Sequence, residues 1–268
     1  AVTNSSGATI GLGTGALAND DGTTNNNTAV GNNALNANTS GANNTAIGDE
    51  ALAANTTAAG NTAVGALSLD ANTSGQNNTG IGIHVLAVNT TASNNTAVGS
   101  LALLANTTGT KNAAVGSFAL DANTTGNSNT AVGYNVLGGN TTGSSNVAMG
   151  DGALTSNTTA SNNTAVGTSA LLVNTTGAQN VGVGAVSLSA NTSGNRNIGI
   201  GYQSLDANTT GDDNVAVGKG ALGANTTADD NTAVGSSALA LNTTGTQNGA
   251  RGSFDSGGDR TRRKTTSA

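Results

Sequence analysis

The chain has 268 residues, forty of them Gly, with two Phe, two Tyr and no Trp, Pro or Cys. The large side chains that fill an ordinary globular interior are missing, so the composition excludes a deep three-dimensional core, a disulfide framework and a bilayer-spanning apolar run. The net charge of −6 is unevenly placed: residues 1–250 carry twelve acidic and three basic residues, residues 251–268 five basic and two acidic. A sparsely charged, acidic body repels polyanions, and no nucleic-acid partner is expected.

Residues 1–26 read as an irregular or capping first coil. Gly13 and Leu17 already follow the pattern of what comes next, but one extra residue in the Asp20–Asn26 link sets Gly13 eighteen residues before Gly31. The chain opens on Ala1 with no signal-peptide pattern, which reads as a processed, excised or partial chain whose anchor or export segment lies elsewhere.

Residues 27–250 repeat every seventeen residues without an insertion. Glycines fall at Gly31, Gly48, Gly65 and on in phase to Gly252, and a leucine holds its place in thirteen consecutive units from Leu35 to Leu239. Self-similarity at a fixed short period marks a stacked array in which each unit is one coil. Seventeen residues are too few for the helix pairs of α-solenoids, and the Asn, Gly and Thr in every unit disfavour helix interiors. A disordered tract has no reason to keep a leucine in phase. The spacing therefore predicts an all-β fold, a parallel β-solenoid or β-roll of about thirteen coils, each with two short strands. In the unit containing Gly48 these strands lie around Thr45–Ile47 and Ala51–Ala54, with corners at Gly48 and Asn55–Ala58.

Alternation along the first strand places a Val/Ile file in the core, Val30, Ile47, Val64, Val98, Val132 and Val166, facing the leucines Leu35, Leu52, Leu69, Leu103, Leu137 and Leu171. The opposite face carries only Ala or Gly, at Ala46, Ala63, Gly80, Ala97, Ala114 and Ala131. A solvated face would carry polar residues, so this smooth file is the expected self-association interface. Stacking aligns Asn38, Asn55, Asn72, Asn89, Asn106 and Asn123 into a corner ladder of amides, with a second ladder through Asn61, Asn78, Asn95 and Asn112. The corner triplets also match N-glycosylation acceptors. Rungs ~4.8 Å apart leave no room for a glycan on each, so a ladder-forming corner is the better reading.

Residues 251–268 read as a basic, disordered tail. Arg251 breaks the Val/Ile file and Asp255-Ser256 replaces the Ala-Leu pair, so the solenoid is expected to stop near residue 250. The run Arg260, Arg262, Arg263 and Lys264 reads as solvated charge.

Titratable chemistry is scarce. His84 is the single histidine and sits at a variable position, and no serine lies in a nucleophile-elbow pattern. The acidic pairs Asp49-Glu50, Asp212-Asp213 and Asp229-Asp230 belong to different units and do not form the every-repeat pattern of a calcium-binding roll. The glycines are not clustered into a phosphate loop. The expectation is no catalytic residue, no metal ligand, no cofactor and no enzyme.

The segments Asn43-Asn44-Thr45-Ala46-Ile47-Gly48 and Ser145-Asn146-Val147-Ala148-Met149-Gly150 resemble the head repeat of trimeric autotransporter adhesins, Asn-Ser-Val-Ala-Ile-Gly. Similar Asn-Thr-Ala-Val-Gly arrays occur in tail-fibre-like proteins. The resemblance implies a left-handed roll that associates as a trimer into an adhesive head. It departs in its longer unit and in Thr at the first core Val. The expected function is a structural or adhesive fibre segment, extracellular, on a cell surface or on a virion. Its partners would be itself, as a trimer or fibre, and a host-surface or matrix receptor, with no membrane insertion in this segment. The alternative is an ice-binding solenoid whose threonine ladders, such as Thr39, Thr56, Thr73 and Thr90, present regular hydroxyls.

Overall fold

The computed structural model describes residues 2–3, 9–21 and 25–253. The chain divides into two compact units, residues 1–143 and 144–268. Each is a parallel β-solenoid with one coil per seventeen residues.

In the first unit, β1 (Val2–Thr3) lies antiparallel to β2 (Ile10–Leu12), covering one of its edges. The parallel stack continues through β3 (Thr28–Val30), β4 (Thr45–Ile47), β5 (Thr62–Val64), β6 (Thr79–Ile81), β7 (Thr96–Val98), β8 (Ala113–Val115) and β9 (Thr130–Val132). Ile10 pairs with Thr28 and Thr28 with Thr45, so the extra residue of the first link leaves the register of the strands intact. The coil starting at Ile10 is thus part of the stack.

The second unit stacks β10 (Val147–Met149), β11 (Thr164–Val166), β12 (Val181–Val183), β13 (Ile198–Ile200), β14 (Val215–Val217), β15 (Thr232–Val234) and β16 (Gly249–Arg251), all parallel. The array therefore runs to Arg251, where the sequence loses its pattern. The basic run Arg260–Lys264 lies outside the described residues.

Each coil contains one strand rather than two. The segment expected as a second strand, Ala51–Ala54, is a succession of turns. Glu50 (φ 54°) and Leu52 (φ 51°) are left-handed, as are the equivalent residues of coil after coil. Such a conformation costs about 1–2 kcal/mol for a residue with a Cβ. It is offset by hydrogen bonds in two directions. Ala53 N donates to Glu50 O (3.3 Å) and Asn55 N to Leu52 O (3.1 Å), closing the local turns. Leu52 N donates to Ser68 O (3.0 Å) and Ala54 N to Asp70 O (2.9 Å) on the next coil. Because left-handed residues interrupt the pleat, the consecutive residues Ala51 and Leu52 both point inward and are fully buried. A strand would send them to opposite faces.

The same burial reverses the expected sidedness of the strand. The Ala/Gly file lies inside: Ala46, Ala63, Ala97, Ala114 and Ala131 are wholly enclosed and Gly80 is buried. The expected core valines and isoleucine lie on the outer face. Ile47 is 40 % exposed, and Val30, Val64, Val98, Val132 and Val166 are half-buried. The core is one leucine wide, and Leu35, Leu52, Leu69, Leu103, Leu137 and Leu171 fill it at zero exposure. Opposite a leucine, only a methyl or a hydrogen fits. A Cβ at Gly80 would stand 2.7 Å from Ser68 Oγ and 3.4 Å from both Leu69 Cδ1 and Val85 Cγ1. Where the inward residue before the leucine becomes Ser, the next coil's alanine can become glycine. Ser68 Oγ donates to Gly80 O (3.0 Å) and Ser187 Oγ to Gly199 O (2.8 Å). The Ala/Gly file is core and cannot be an interface between chains.

The punctuating glycine has its own requirement. Gly48 has φ 141°, and a side chain there would collide with the carbonyl of Gly65 on the next coil.

Candidate functional surface

Both asparagine ladders lie in the interior. At the corner, Asn38, Asn55, Asn72, Asn89, Asn106 and Asn123 are fully buried. Asn72 shows why that is stable. Its Nδ2 donates to Asn55 Oδ1 (3.3 Å) and to Gly75 O (3.0 Å), and its Oδ1 accepts from Asn89 Nδ2 (2.9 Å). In the second ladder, Asn78 N donates to Asn61 Oδ1 (2.9 Å) and Asn78 Nδ2 to Ala92 O (2.8 Å), while Asn78 Oδ1 accepts from Asn95 N (2.9 Å). The Asn72 amide thus engages both N–H groups and its carbonyl, and the Asn78 amide donates through Nδ2 and accepts at Oδ1, which burial of polar groups requires. The acceptor nitrogens of the glycosylation-like triplets are enclosed in this way and are not presented to solvent.

Beside the corner, the first threonine of most triplets is also committed. Thr56 Oγ1 donates to Thr73 O (3.3 Å), Thr73 Oγ1 to Thr90 O (3.1 Å) and Thr107 Oγ1 to Thr124 O (3.0 Å). Its invariance along the repeat has a backbone reason.

The outward face of the strands is a different surface. In the first unit, Thr28, Thr45, Thr62, Thr79, Thr96, Ala113 and Thr130 form one file, and Val30, Ile47, Val64, Ile81, Val98, Val115 and Val132 form the other. In the second unit, Val147, Thr164, Val181, Ile198, Val215 and Thr232 stand beside Met149, Val166, Val183, Ile200, Val217 and Val234. Neither face carries a charge until Arg251. Ile81 and Val115 are each 40 % exposed and Met149 46 %. Rungs lie ~4.8 Å apart, and the two side chains on a rung are separated by two residues of ~3.3 Å rise. Each unit thus presents a regular two-column array of methyl groups, with hydroxyls interspersed most densely in the first. The reading of the sequence missed this surface because it took the Val/Ile column for core. The signal that identifies it is the residue between the columns, which never exceeds alanine.

Charged groups are scattered. His84 is half-buried in a left-handed turn position (φ 52°) that other coils fill with Glu50, Asn135 or Gln203. Asp70, Asp121 and Asp206 share one position in the coil. Burial pushes each carboxyl above the usual carboxylate value, partly countered by backbone N–H donors. Ionised, they therefore oppose folding, and their contribution to stability falls as pH rises above the ordinary value of 3.8. Arg196 forms a forked pair with Asp213 of the next coil, Nε to Oδ1 and Nη2 to Oδ2 both at 2.7 Å, which holds the Asp213 carboxyl below its usual value. The pair is exposed and contributes little. Among the described residues, no group of three or more His, Asp or Glu side chains is arranged to hold a metal ion. Of the acidic pairs, Asp212-Asp213 and Asp229-Asp230 stand on adjacent coils, where Asp212 N donates to Asp229 Oδ1 (2.8 Å) and Asp230 N to Asp212 O (3.1 Å).

Family models, curated proteins and solved structures provide no match to this chain.

Proposed function

We propose that the chain is a structural or adhesive fibre segment, extracellular on a cell or virion, that associates with copies of itself through the outward strand faces. The observation that carries this reading is the uncharged two-column array of Thr and aliphatic residues, rung after rung, on each unit. A monomer seldom leaves a contiguous apolar stripe larger than a few hundred Å² in water, and burial of such surface stabilises association by about 25 cal/mol per Å² before its entropic cost. The resemblance of the repeat to adhesin heads supports a trimer. The receptor would be a component of a host surface or matrix.

Sedimentation at micromolar concentration tests the reading. The intact chain is expected to run as an oligomer. Val64→Glu with Ile81→Glu, both outward, should run as a monomer with an unchanged circular-dichroism spectrum. A monomeric intact chain, or a double variant that assembles as before, overturns it.

A second reading, an ice-binding solenoid, is favoured by one specific feature. Thr28, Thr45, Thr62, Thr79, Thr96 and Thr130 share one outward face with a Val/Ile file, on a stack of constant rung spacing. This face, not the corner ladder through Thr56, is the one that would meet ice. Thermal hysteresis that disappears with Thr62→Glu and Thr79→Glu would select this reading. No hysteresis at millimolar protein would dismiss it.

A further inference from the structure

The last described rung of the second asparagine ladder is unlike the others. Asn231 and Asn248 hold the same place in successive coils, each just before a strand. Asn231 is fully buried, whereas Asn248 is half-buried. Inside the stack, the backbone N–H that follows this asparagine is tied to the next coil: Val215 N donates to Asn231 O and Thr232 N to Asn248 O, both at 2.8 Å. The side-chain amide is tied as well, as Asn78 Nδ2 is to Ala92 O and Asn78 Oδ1 to Asn95 N. At β16 these partners fall away. Gly249 is exposed, and among the described residues its N–H has no acceptor. Asn248 Oδ1 accepts from none of them, and Asn248 Nδ2 reaches only Asn242 Oδ1, at 3.4 Å.

The sequence changes at the same point. From Asn27 on, the residue after the ladder asparagine is Thr, Val or Ile in the preceding coils, with Ala113 the one exception. Asn248 is followed by glycine, and Asn248-Gly249 is the one Asn-Gly pair in the chain. A β-branched side chain crowds the approach of its own backbone nitrogen to the preceding carboxamide. Glycine removes that obstacle and frees the backbone to bend toward it.

We infer that Asn248 is a preferred site of spontaneous deamidation, with water as the co-reactant, and that stacking protects the interior rungs of the ladder. The Gly249 backbone nitrogen attacks Asn248 Cγ, and the new N–Cγ bond closes a cyclic imide. The Cγ–Nδ2 bond breaks, and ammonia leaves with the proton given up by the Gly249 N–H. Water then opens the ring at Cγ to give aspartate, or at the main-chain carbonyl carbon to give isoaspartate. The net change is a water taken up and an ammonia lost, with no oxidation or reduction. Isoaspartate routes the main chain through the former side chain, which lengthens it before Gly249 and breaks the register of Gly249 with Thr232. The pairing of β14 with β15 does not pass through this rung and is kept.

Prolonged incubation at mildly alkaline pH, followed by tryptic digestion and tandem mass spectrometry against a zero-time sample, tests the site. Cleavage after Lys219 and Arg251 releases residues 220–251, which hold Asn225, Asn231, Asn242 and Asn248 in one peptide. A mass gain of ~1 Da is expected at Asn248, at a rate about tenfold or more above that at Asn231. Gly249→Val supplies a residue that other coils carry at this place, and a Cβ there meets nothing within 4 Å. It should slow the gain about tenfold. Thr232→Gly, at an outward residue, creates a second Asn-Gly pair inside the ladder. With its circular-dichroism spectrum unchanged, that variant should keep Asn231 intact while Asn248 reacts, and in urea the two should react alike. A gain at Asn248 no faster than at Asn231 in the intact chain, or one that Gly249→Val leaves unchanged, overturns the site. Equal gains at Asn231 and Asn248 in folded Thr232→Gly overturn protection by the stack.

Discussion

Two stretches of one coil use nearly the same residues in opposite ways. In Thr45–Ile47 the pleat alternates, so Ala46 is enclosed and its larger neighbours face out. In Glu50–Asn55 the left-handed residues Glu50 and Leu52 break the alternation, and Ala51 and Leu52 are both enclosed. The first stretch places its small residue inside and the second its large one. The two fit because the interior is one leucine wide, and whichever element supplies the leucine leaves the other room for a methyl only. Hydrophobicity does not decide which residue is buried here. Available depth does.

The sharpest way to break this comparison is a charge on adjacent residues of one strand. Ala97→Glu places a larger, ionised side chain against the leucine file and should cost about 4 kcal/mol or more. Val98→Glu, one residue on and outward, should change coil stability by no more than about 1 kcal/mol. Thermal unfolding followed by circular dichroism checks both. Equal losses would mean that the strand has no inside.

A smaller effect is expected at the corner. Asn72→Asp removes the donations to Asn55 and Gly75 and sets a carboxylate against two oxygens, a loss of about 3 kcal/mol at neutral pH. Burial raises the pKa of the introduced carboxyl, so the loss should grow as pH rises above the ordinary carboxylate value toward the raised one, and shrink as pH falls back to the ordinary value. Midpoints measured across that range test the sign. A loss independent of pH would point to packing instead of the ladder.

The smallest expected effect is a gain. Val186 (φ 60°) and Leu188 (φ 51°) are both left-handed, but Val186 is half-buried and β-branched while Leu188 is enclosed. Val186→Asn relieves the strain without opening the core and should stabilise by about 0.5 kcal/mol. Leu188→Asn, in the same conformation, should destabilise strongly. If both variants lose stability, the strain at Val186 is offset by contacts that its half-burial provides.

Much of the fold was legible in the sequence because repetition is a strong constraint. A period that never slips fixes in-register stacking, and stacking alone aligns Asn55 with Asn72 and Leu52 with Leu69. The leucine file and the asparagine ladders follow from that. The exchange of inside and outside along the strand was not legible. Val30 and Ile47 are the larger and more apolar residues, and period-two alternation is silent on which face is buried. Nor was the turn segment visible, since a sequence of Ala and Leu carries no mark of the left-handed conformation that Leu52 adopts. That conformation is stabilised by bonds to the next coil, Leu52 N to Ser68 O among them, which exist only once coils are stacked. By itself the sequence determined the repeat, the all-β class and the ladders, because these depend on spacing. The tertiary structure decided which files are core and which are surface, because these depend on the width of the interior and on contacts between coils.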